Sequence, residues 1–376
     1  MRLLLKNTLK IGGFGLFILL MTGCSLVVPK LLPFDDLPEP AGPYAVGTQT
    51  FTWQDNSREE AFTAEAGDKR RLVVQIWYPA EPTSGQPVTY LPDPELRMGP
   101  FAKSSGLPKF LLNHMQWVET NSHEDAPIKT ALTELPLVLF SHGLGGMKNQ
   151  NSVQMEELAS QGYFVAAVDH PYDAYLTIFD DGTTADYRAG HDGIDSEEAF
   201  WAFRGPQLNT RAKDMSFLLD QIQARKSQGE AIWQNISTDR VGIFGHSFGG
   251  ATSILAAAQD PRFSAVIALD GWMVPVPPET IEAGLNVPML YMGQPQWEGT
   301  PLNYENLDSL ISNSAGFTKK LLISETKHMD YSDAPQFSNF AKRIGYAGKI
   351  SSIELKEILN SETLQFFNTH VRGQGQ

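Results

Sequence analysis

Hydrophobic and polar positions change period repeatedly along the chain, and the changes mark out alternating elements. Apolar runs bounded by turn residues lie at "LPLVLFSHGLGG" (135–146), "FVAAVDH" (164–170), "FSAVIALDG" (263–271) and "VPMLYMG" (287–293). Such short, nearly continuous runs are the pattern of strands buried on both faces. "RLVVQIWYPA" (71–80), stopped by proline, and "KKLLISET" (319–326) read as two more strands. Helical spacing appears in "NSVQMEELASQGY" (151–163), "LNTRAKDMSFLLDQIQAR" (208–225) and "SSIELKEILNSETLQFFNTHV" (351–371). "DRVGIFGHSFGGATSILAAAQD" (239–260) reads as strand, sharp turn and helix.

Strands alternating with helices predict an α/β domain over 46–376: a mostly parallel central sheet with helices on both faces. Residues 81–134 and 171–205 are polar or loop-like and weakly periodic, and are expected as insertions or a cap, with a helix near 107–118. Ligands in such sheets sit beyond the carboxyl ends of the strands. The polar residues ending strands therefore become the candidates: His142, Asp169, Ser247, Asp270 and His328.

Composition narrows the function. The net charge of −14 opposes binding to nucleic acid or adsorption to an anionic membrane by charge alone. Arg2, Lys6 and Lys10 precede an apolar stretch, "IGGFGLFILLMTG", ending before Cys24, the pattern of an export signal over residues 1–23. "MTGCS" resembles a bacterial lipobox, which implies lipidation of Cys24 and, with Ser25 following, an outer-membrane destination in the cell envelope. Residues 24–45, with prolines at 29, 33, 38, 40 and 43, are expected to form an extended tether. Cys24 is the only cysteine, so the exported core must be stable without a disulfide.

Gly245-His246-Ser247-Phe248-Gly249 fits G-x-S-x-G between an apolar strand and a small-residue helix. That context exposes a serine nucleophile on a strained turn. A serine hydroxyl needs a histidine base, itself oriented by a carboxylate, in the chain order serine, acid, histidine. His328 follows a strand in a loop where a base should hang; His370, close to the chain end, is expected at the surface. The acid has three contenders, Asp270, Glu298 and Asp308. Asp270 directly ends a strand in apolar surroundings, whereas Glu298 occupies the more usual strand position in this fold. The oxyanion hole requires two backbone N–H donors, expected from Phe248 and from Leu144, with His142 bracing its loop. Trp272, Met273, Phe248, Trp297 and Tyr291 are candidates to line an acyl pocket. No metal or other cofactor is expected, since no H-e-x-x-H or Cys/His cluster occurs.

Together "DRVGIFGHSFGGAT", "RFSAVIALDGWMVP", "SHGLGG", "AAVDH", "TRAKDMSFLLD" and the histidine of "ETKHMDYSD" resemble the plasma and intracellular type II platelet-activating factor acetylhydrolases. The resemblance spans roughly 70–340 and is densest over 239–275. It implies an α/β-hydrolase fold and a cofactor-independent serine esterase of short or oxidised sn-2 acyl groups of phospholipids. It also implies Ser247 as nucleophile, His328 as base and Asp270 as acid, with Leu144 and Phe248 as oxyanion donors. It does not extend obviously over 81–134 and 171–205, and "DHPYDAYL" replaces a more basic stretch of the family. A general short-chain or polyester-type carboxylesterase is the alternative; a non-catalytic binding lipoprotein of the envelope is the reading from another class.

Overall fold

The computed structural model describes residues 34–83, 85–190, 193–297 and 300–373. The expected export signal, Cys24 and Glu298 lie outside them. In chain order the strands are β1 (Ala45–Glu59), β2 (Lys69–Ala80), β3 (Pro87–Thr89), β4 (Glu119–Glu124), β5 (Leu135–Ser141), β6 (Phe164–Asp169), β7 (Leu176–Ile178), β8 (Thr184–Asp186), β9 (Ile236–His246), β10 (Phe263–Leu269), β11 (Met289–Gly293) and β12 (Thr318–Leu322). Among the described residues, ten of them form one sheet in the order β12-β11-β10-β9-β5-β6-β2-β1-β4-β3, while β7 and β8 pair separately. The six strands from β12 to β6 run parallel; β2 joins β6 antiparallel.

Alternation within the buried strands builds two cores. Leu137 and Leu139 of β5 face a cluster with Leu208, Met215 and Leu218 of helix Glu197–Gln228 and Ile254 of helix Phe248–Gln259. Val138 and Phe140 face the other side, against Met155 and Leu158 of helix Ser152–Ser160 and Leu355 and Phe367 of helix Ser352–Phe367. Each such side chain contributes about 1.5–3 kcal/mol when fully buried, which is why both faces of the sheet must be covered. This is the α/β-hydrolase architecture.

Several boundaries differ from the sequence reading. β1 escaped notice because "GTQTFTWQDNSRE" is mostly polar; it pairs antiparallel with β2 along nearly its whole length. The helix expected over 208–225 starts at Glu197, where the Ser196 hydroxyl accepts from the Ala199 N–H at 3.1 Å. Pro206 within it obscures the period. The helix expected near 107–118 is split: helix Pro94–Ser105 stops at Gly106 (φ 68°), and Lys109–Leu112 and a 3-10 turn, Asn113–Trp117, follow. Helix Leu302–Asn313 has no counterpart among the elements expected from sequence. The described part of the expected tether lies against the body: Leu37 is buried, and the N–H groups of Ala41 and Gly42 donate to Glu157 Oε2 and Ser160 Oγ at 2.8 and 3.1 Å.

Strand register sets up the carboxyl edge. Leu269 of β10 pairs with His246 of β9 and with Met292 of β11. Ser247 and Asp270 therefore leave neighbouring strands at the same level. Ser141 of β5 pairs with Gly245, which brings the 142–146 loop alongside Ser247.

Candidate active site

Ser247 adopts φ 57°, ψ −120°, a backbone conformation that costs a non-glycine residue about 1–3 kcal/mol. Its N–H donates to Leu269 O at 3.0 Å and its carbonyl accepts from the Trp272 N–H at 2.9 Å, so the flanking strand holds the turn. Close approach dictates the glycine two positions on: a Cβ at Gly249 would lie 1.9 Å from Ser141 O.

The His328 ring stands between two partners, with Nε2 2.9 Å from Ser247 Oγ and Nδ1 2.6 Å from Asp270 Oδ2. Asp270 is fully buried. Its Oδ1 also accepts from the Gln294 N–H at 3.0 Å and Trp297 Nε1 at 3.2 Å, and its Oδ2 from Gln294 Nε2 at 2.8 Å. Four donors converge on one carboxylate, which offsets the cost of burying it. Asp308 is remote from this arrangement: it is exposed and pairs with Lys320 at 2.6 Å.

His328 begins the 3-10 turn His328–Tyr331, and two aspartates of that loop fix it. Asp330 Oδ2 accepts from the N–H groups of Lys327 and Gly348 at 2.7 and 2.5 Å. Asp333 accepts from the N–H groups of Ser152 and Val153 at 2.6 and 3.2 Å, seating the loop on the N-terminus of helix Ser152–Ser160.

The 142–146 loop has its own support. His142 Nε2 accepts from the His170 N–H at 3.0 Å, so Nδ1 carries the proton toward Gly143 O at 2.6 Å: the ring braces the turn. Arg211 donates to His142 O and, at 3.2 Å, to Ser141 Oγ, with its guanidinium over the Phe248 ring. His170 Nδ1 donates to Asp214 at 2.8 Å, and Asp214 is paired with Arg70 at 2.7 Å. Burial, reinforced by Arg211, lowers His170 to about 3 and keeps it neutral. Burial alone would raise Asp214, but Arg70 and His170 outweigh it and hold the carboxyl far below the usual range. Burial also draws Arg211 down to about 10, against the opposing pull of Asp173. Sequence reasoning missed this scaffold: Arg211 and Asp214 fall in the stretch "TRAKDMSFLLD" and Arg70 near the start of β2, but nothing in one dimension pairs them with His170 or the 142–146 loop.

Within the loop most N–H groups are committed. Gly143 N–H donates to Gln150 Oε1, Gly145 N–H to Asp173 O and Gly146 N–H to Gly143 O. Among the described residues Leu144 N–H and Phe248 N–H have no acceptor.

A cavity of about 260 Å³ opens beside Ser247 and His328, walled by Phe101, Leu112, Met115, Met147, Tyr175 and Phe337. The residues expected to line an acyl pocket do not line it. Met273 and Tyr291 are fully buried in the core, Phe248 lies beneath Arg211, and Trp272 packs on Phe200 and Phe248. Trp297 meets His328 edge-on, ring centroids 5.0 Å apart. Phe248 follows β9, Trp272 and Met273 follow β10, Tyr291 lies in β11 and Trp297 follows it, whereas the cavity is roofed from the other side by the 81–134 insertion and the segment after His328. Among the described residues no group of three or more His, Cys, Asp or Glu is arranged to hold a metal, and no helix is long and apolar enough to cross a membrane.

Comparison with known proteins bears on the family of the chain and on its fold. The chain is 29% identical over 266 residues to platelet-activating factor acetylhydrolase of Gallus gallus, covering 63% of this chain and 62% of the relative, just under two thirds of its length. It is 25% identical over 363 residues to the Cavia porcellus enzyme of the same name, covering 89% and 78%. Among solved structures, a ferulic acid esterase from Streptomyces cinnamoneus superposes with a TM-score of 0.75 at 27% identity, covering 91% of this chain and 94% of the other. The family described as platelet-activating factor acetylhydrolase, isoform II, matches residues 33–374, which take in the whole described fold. With that match over most of its length, the chain belongs to the platelet-activating factor acetylhydrolase, isoform II, family.

Proposed function

We propose that this chain is a serine carboxylester hydrolase that removes short or oxidised sn-2 acyl groups from phospholipids through an acyl-enzyme. The observation that carries the reading is the Ser247–His328–Asp270 line, with links of 2.9 and 2.6 Å, at the mouth of an apolar cavity. Ser247 Oγ attacks the ester carbonyl while His328 Nε2 takes its proton. Asp270 holds the ring with Nδ1–H toward the carboxylate, so Nε2 is the free base, and stabilises the imidazolium that forms. The free N–H groups of Leu144 and Phe248 receive the developing oxyanion. His328 then protonates the leaving alcohol, and in the second half it takes a proton from the water that cleaves the acyl-enzyme.

Cavity size supports the short-acyl preference. At about 260 Å³ it falls just below the roughly 300–1,000 Å³ of sites that enclose whole ligands. It suits one short chain, leaving glycerol and headgroup at the mouth. A lipid-anchored position in a bacterial outer membrane, through Cys24, belongs to the same proposal and rests on the sequence of residues 1–25.

The likeness to a ferulic acid esterase favours a second reading, a general carboxylesterase of soluble or polymeric esters. The deciding experiment compares kcat/KM for glycerophosphocholines bearing sn-2 acyl groups of two to twelve carbons with p-nitrophenyl and feruloyl esters. A maximum at short sn-2 chains upholds the phospholipid reading. Turnover confined to the simple or aromatic esters replaces it with the second.

A further inference from the structure

We infer that Gln150 and His246 are positioning residues that lock the 142–146 loop, the nucleophile turn and the base loop into one unit. The inference rests on the roles given above to Ser247, His328 and the Leu144 and Phe248 amides.

Three hydrogen bonds run head to tail across the site. Gly143 N–H donates to Gln150 Oε1 at 3.0 Å, Gln150 Nε2 donates to His246 Nδ1 at 2.7 Å, and His246 Nε2 donates to His328 O at 3.1 Å. The chain fixes its own polarity. A backbone N–H can only donate, so the oxygen of the Gln150 amide must face Gly143 and its nitrogen must face His246. Nδ1 of His246 then accepts, the ring proton sits on Nε2, and only the His328 carbonyl remains for it. Burial, and after it the neighbouring His328, hold His246 well below the ordinary histidine range, which preserves this neutral form. The two rings lie 4.6 Å apart, so His246 contacts the base by packing as well.

Space around the relay is closed. A Cβ at Gly146 would lie 2.2 Å from Gln150 Oε1, and one at Gly143 would lie 3.1 Å from His246 Nδ1 and 3.2 Å from Ser247 Cβ. The glycines of "SHGLGG" thus make room for the Gln150 amide and let the loop settle on the nucleophile turn. The relay also selects the oxyanion donor. It holds Gly143 N–H, and with Gly143 O accepting from His142 Nδ1 and the Gly146 N–H at 2.6 and 3.1 Å, Leu144 N–H is the loop amide left free. Its consequence should therefore appear in the tetrahedral transition state and not in ground-state binding.

The test uses the full chain and four variants: Gln150→Leu, Gln150→Glu, His246→Phe and the Gln150→Leu/His246→Phe double. Each is assayed for kcat and KM on p-nitrophenyl butyrate, for affinity toward butylboronic acid, which forms a tetrahedral adduct on the serine, and for affinity toward an unreactive ether analogue of the ester. Gln150→Leu is expected to lower kcat by about 10–100-fold, less than the roughly 100–1,000-fold of removing a donor outright. KM should stay within about threefold, boronate affinity should fall by the same factor as kcat/KM, and ether affinity should not change. Gln150→Glu keeps the acceptor for Gly143 and should lose less. The double variant should lose no more than the worse single one, since both break one relay. Folded Gln150→Leu with wild-type kcat and boronate affinity overturns the inference, as do parallel losses of ether and boronate affinity or additive losses in the double variant. If Gln150→Leu does not fold, Gln150→Glu and His246→Phe are judged by the same split between boronate and ether. Failure of the wild-type chain itself to hydrolyse the ester or bind the boronate refutes the parent reading instead.

Discussion

Replacing Asp270 by asparagine probes the site where the structure makes the sharpest demand. All four groups around this carboxylate are donors: His328 Nδ1, Gln294 Nε2, the Gln294 N–H and Trp297 Nε1. An amide NH2 in either orientation therefore faces two N–H groups. Pointed at His328, it forces the ring into the tautomer with Nε2–H toward Ser247, which removes the base. Pointed the other way, it leaves the Gln294 and Trp297 donors opposed, at about 1–3 kcal/mol for each buried group left unpaired. In either case the negative charge that stabilises the imidazolium is gone. The same change in a serine triad of this kind costs about 10⁴ in kcat, which is about 5.4 kcal/mol at 1.36 kcal/mol per decade. The assay is steady-state hydrolysis of p-nitrophenyl acetate beside a thermal melt, with Glu298→Gln in parallel. The expected result is a loss of three to four decades in kcat with KM little changed, and no comparable loss in Glu298→Gln. A folded Asp270→Asn protein within about tenfold of wild type, or a large loss in Glu298→Gln, refutes the reasoning.

Two further outcomes follow from the same geometry. His142, His170 and His246 are buried and held below the ordinary histidine range, His170 at about 3. Their unfolded forms protonate near pH 6.5 while the folded forms do not, so their contribution to stability is constant above about pH 7 and declines as pH falls below 6.5, by up to about 1.36 kcal/mol per unit for each histidine. Urea unfolding of the wild type and His246→Phe at pH 8, 6 and 5 measures this, and a stability difference between the two that is the same at pH 8 and 5 would contradict it. Met115 lies in the cavity wall. Met115→Trp should cut kcat/KM for six- to eight-carbon acyl esters by about tenfold and leave acetyl esters within about twofold; equal losses across the series would remove the cavity from acyl selection.

The part of the fold that was legible is the part whose burial forces a pattern. β5, β6, β9 and β10 are packed on both faces, so they announce themselves as apolar runs, and the strained turn at Ser247 leaves its glycines in the sequence. β1 has no such signature: it lies toward the far end of the sheet, between β2 and β4, and much of its length is polar. The insertion over 81–134 was unreadable for another reason. Its helix Pro94–Ser105 is short and interrupted by Pro100, and it becomes the cavity roof only through contacts with distant segments such as Phe337. The residues expected to line the acyl pocket were misplaced for a like reason: Met273 and Tyr291 pack in the core, Phe248 lies under Arg211 and Trp297 beside His328, while the cavity wall comes from segments distant in sequence. Asp270 itself was ambiguous in one dimension, where strand position and strand end pointed to different carboxylates. Three dimensions add register and contact: Leu269 pairs with His246, so the next residue of each strand emerges at the same level, and Asp270 meets His328 at 2.6 Å.

The central claim is that Ser247 is a nucleophile activated by His328, and covalent labelling tests it most directly. The full chain is treated with a fluorophosphonate probe beside Ser247→Ala and His328→Ala, and the labelled peptide is identified by mass spectrometry. The account predicts stoichiometric labelling of Ser247 with matching loss of ester hydrolysis, no labelling in Ser247→Ala, and labelling slowed by several decades in His328→Ala. Unlabelled wild-type protein, or turnover that survives in Ser247→Ala, would contradict it.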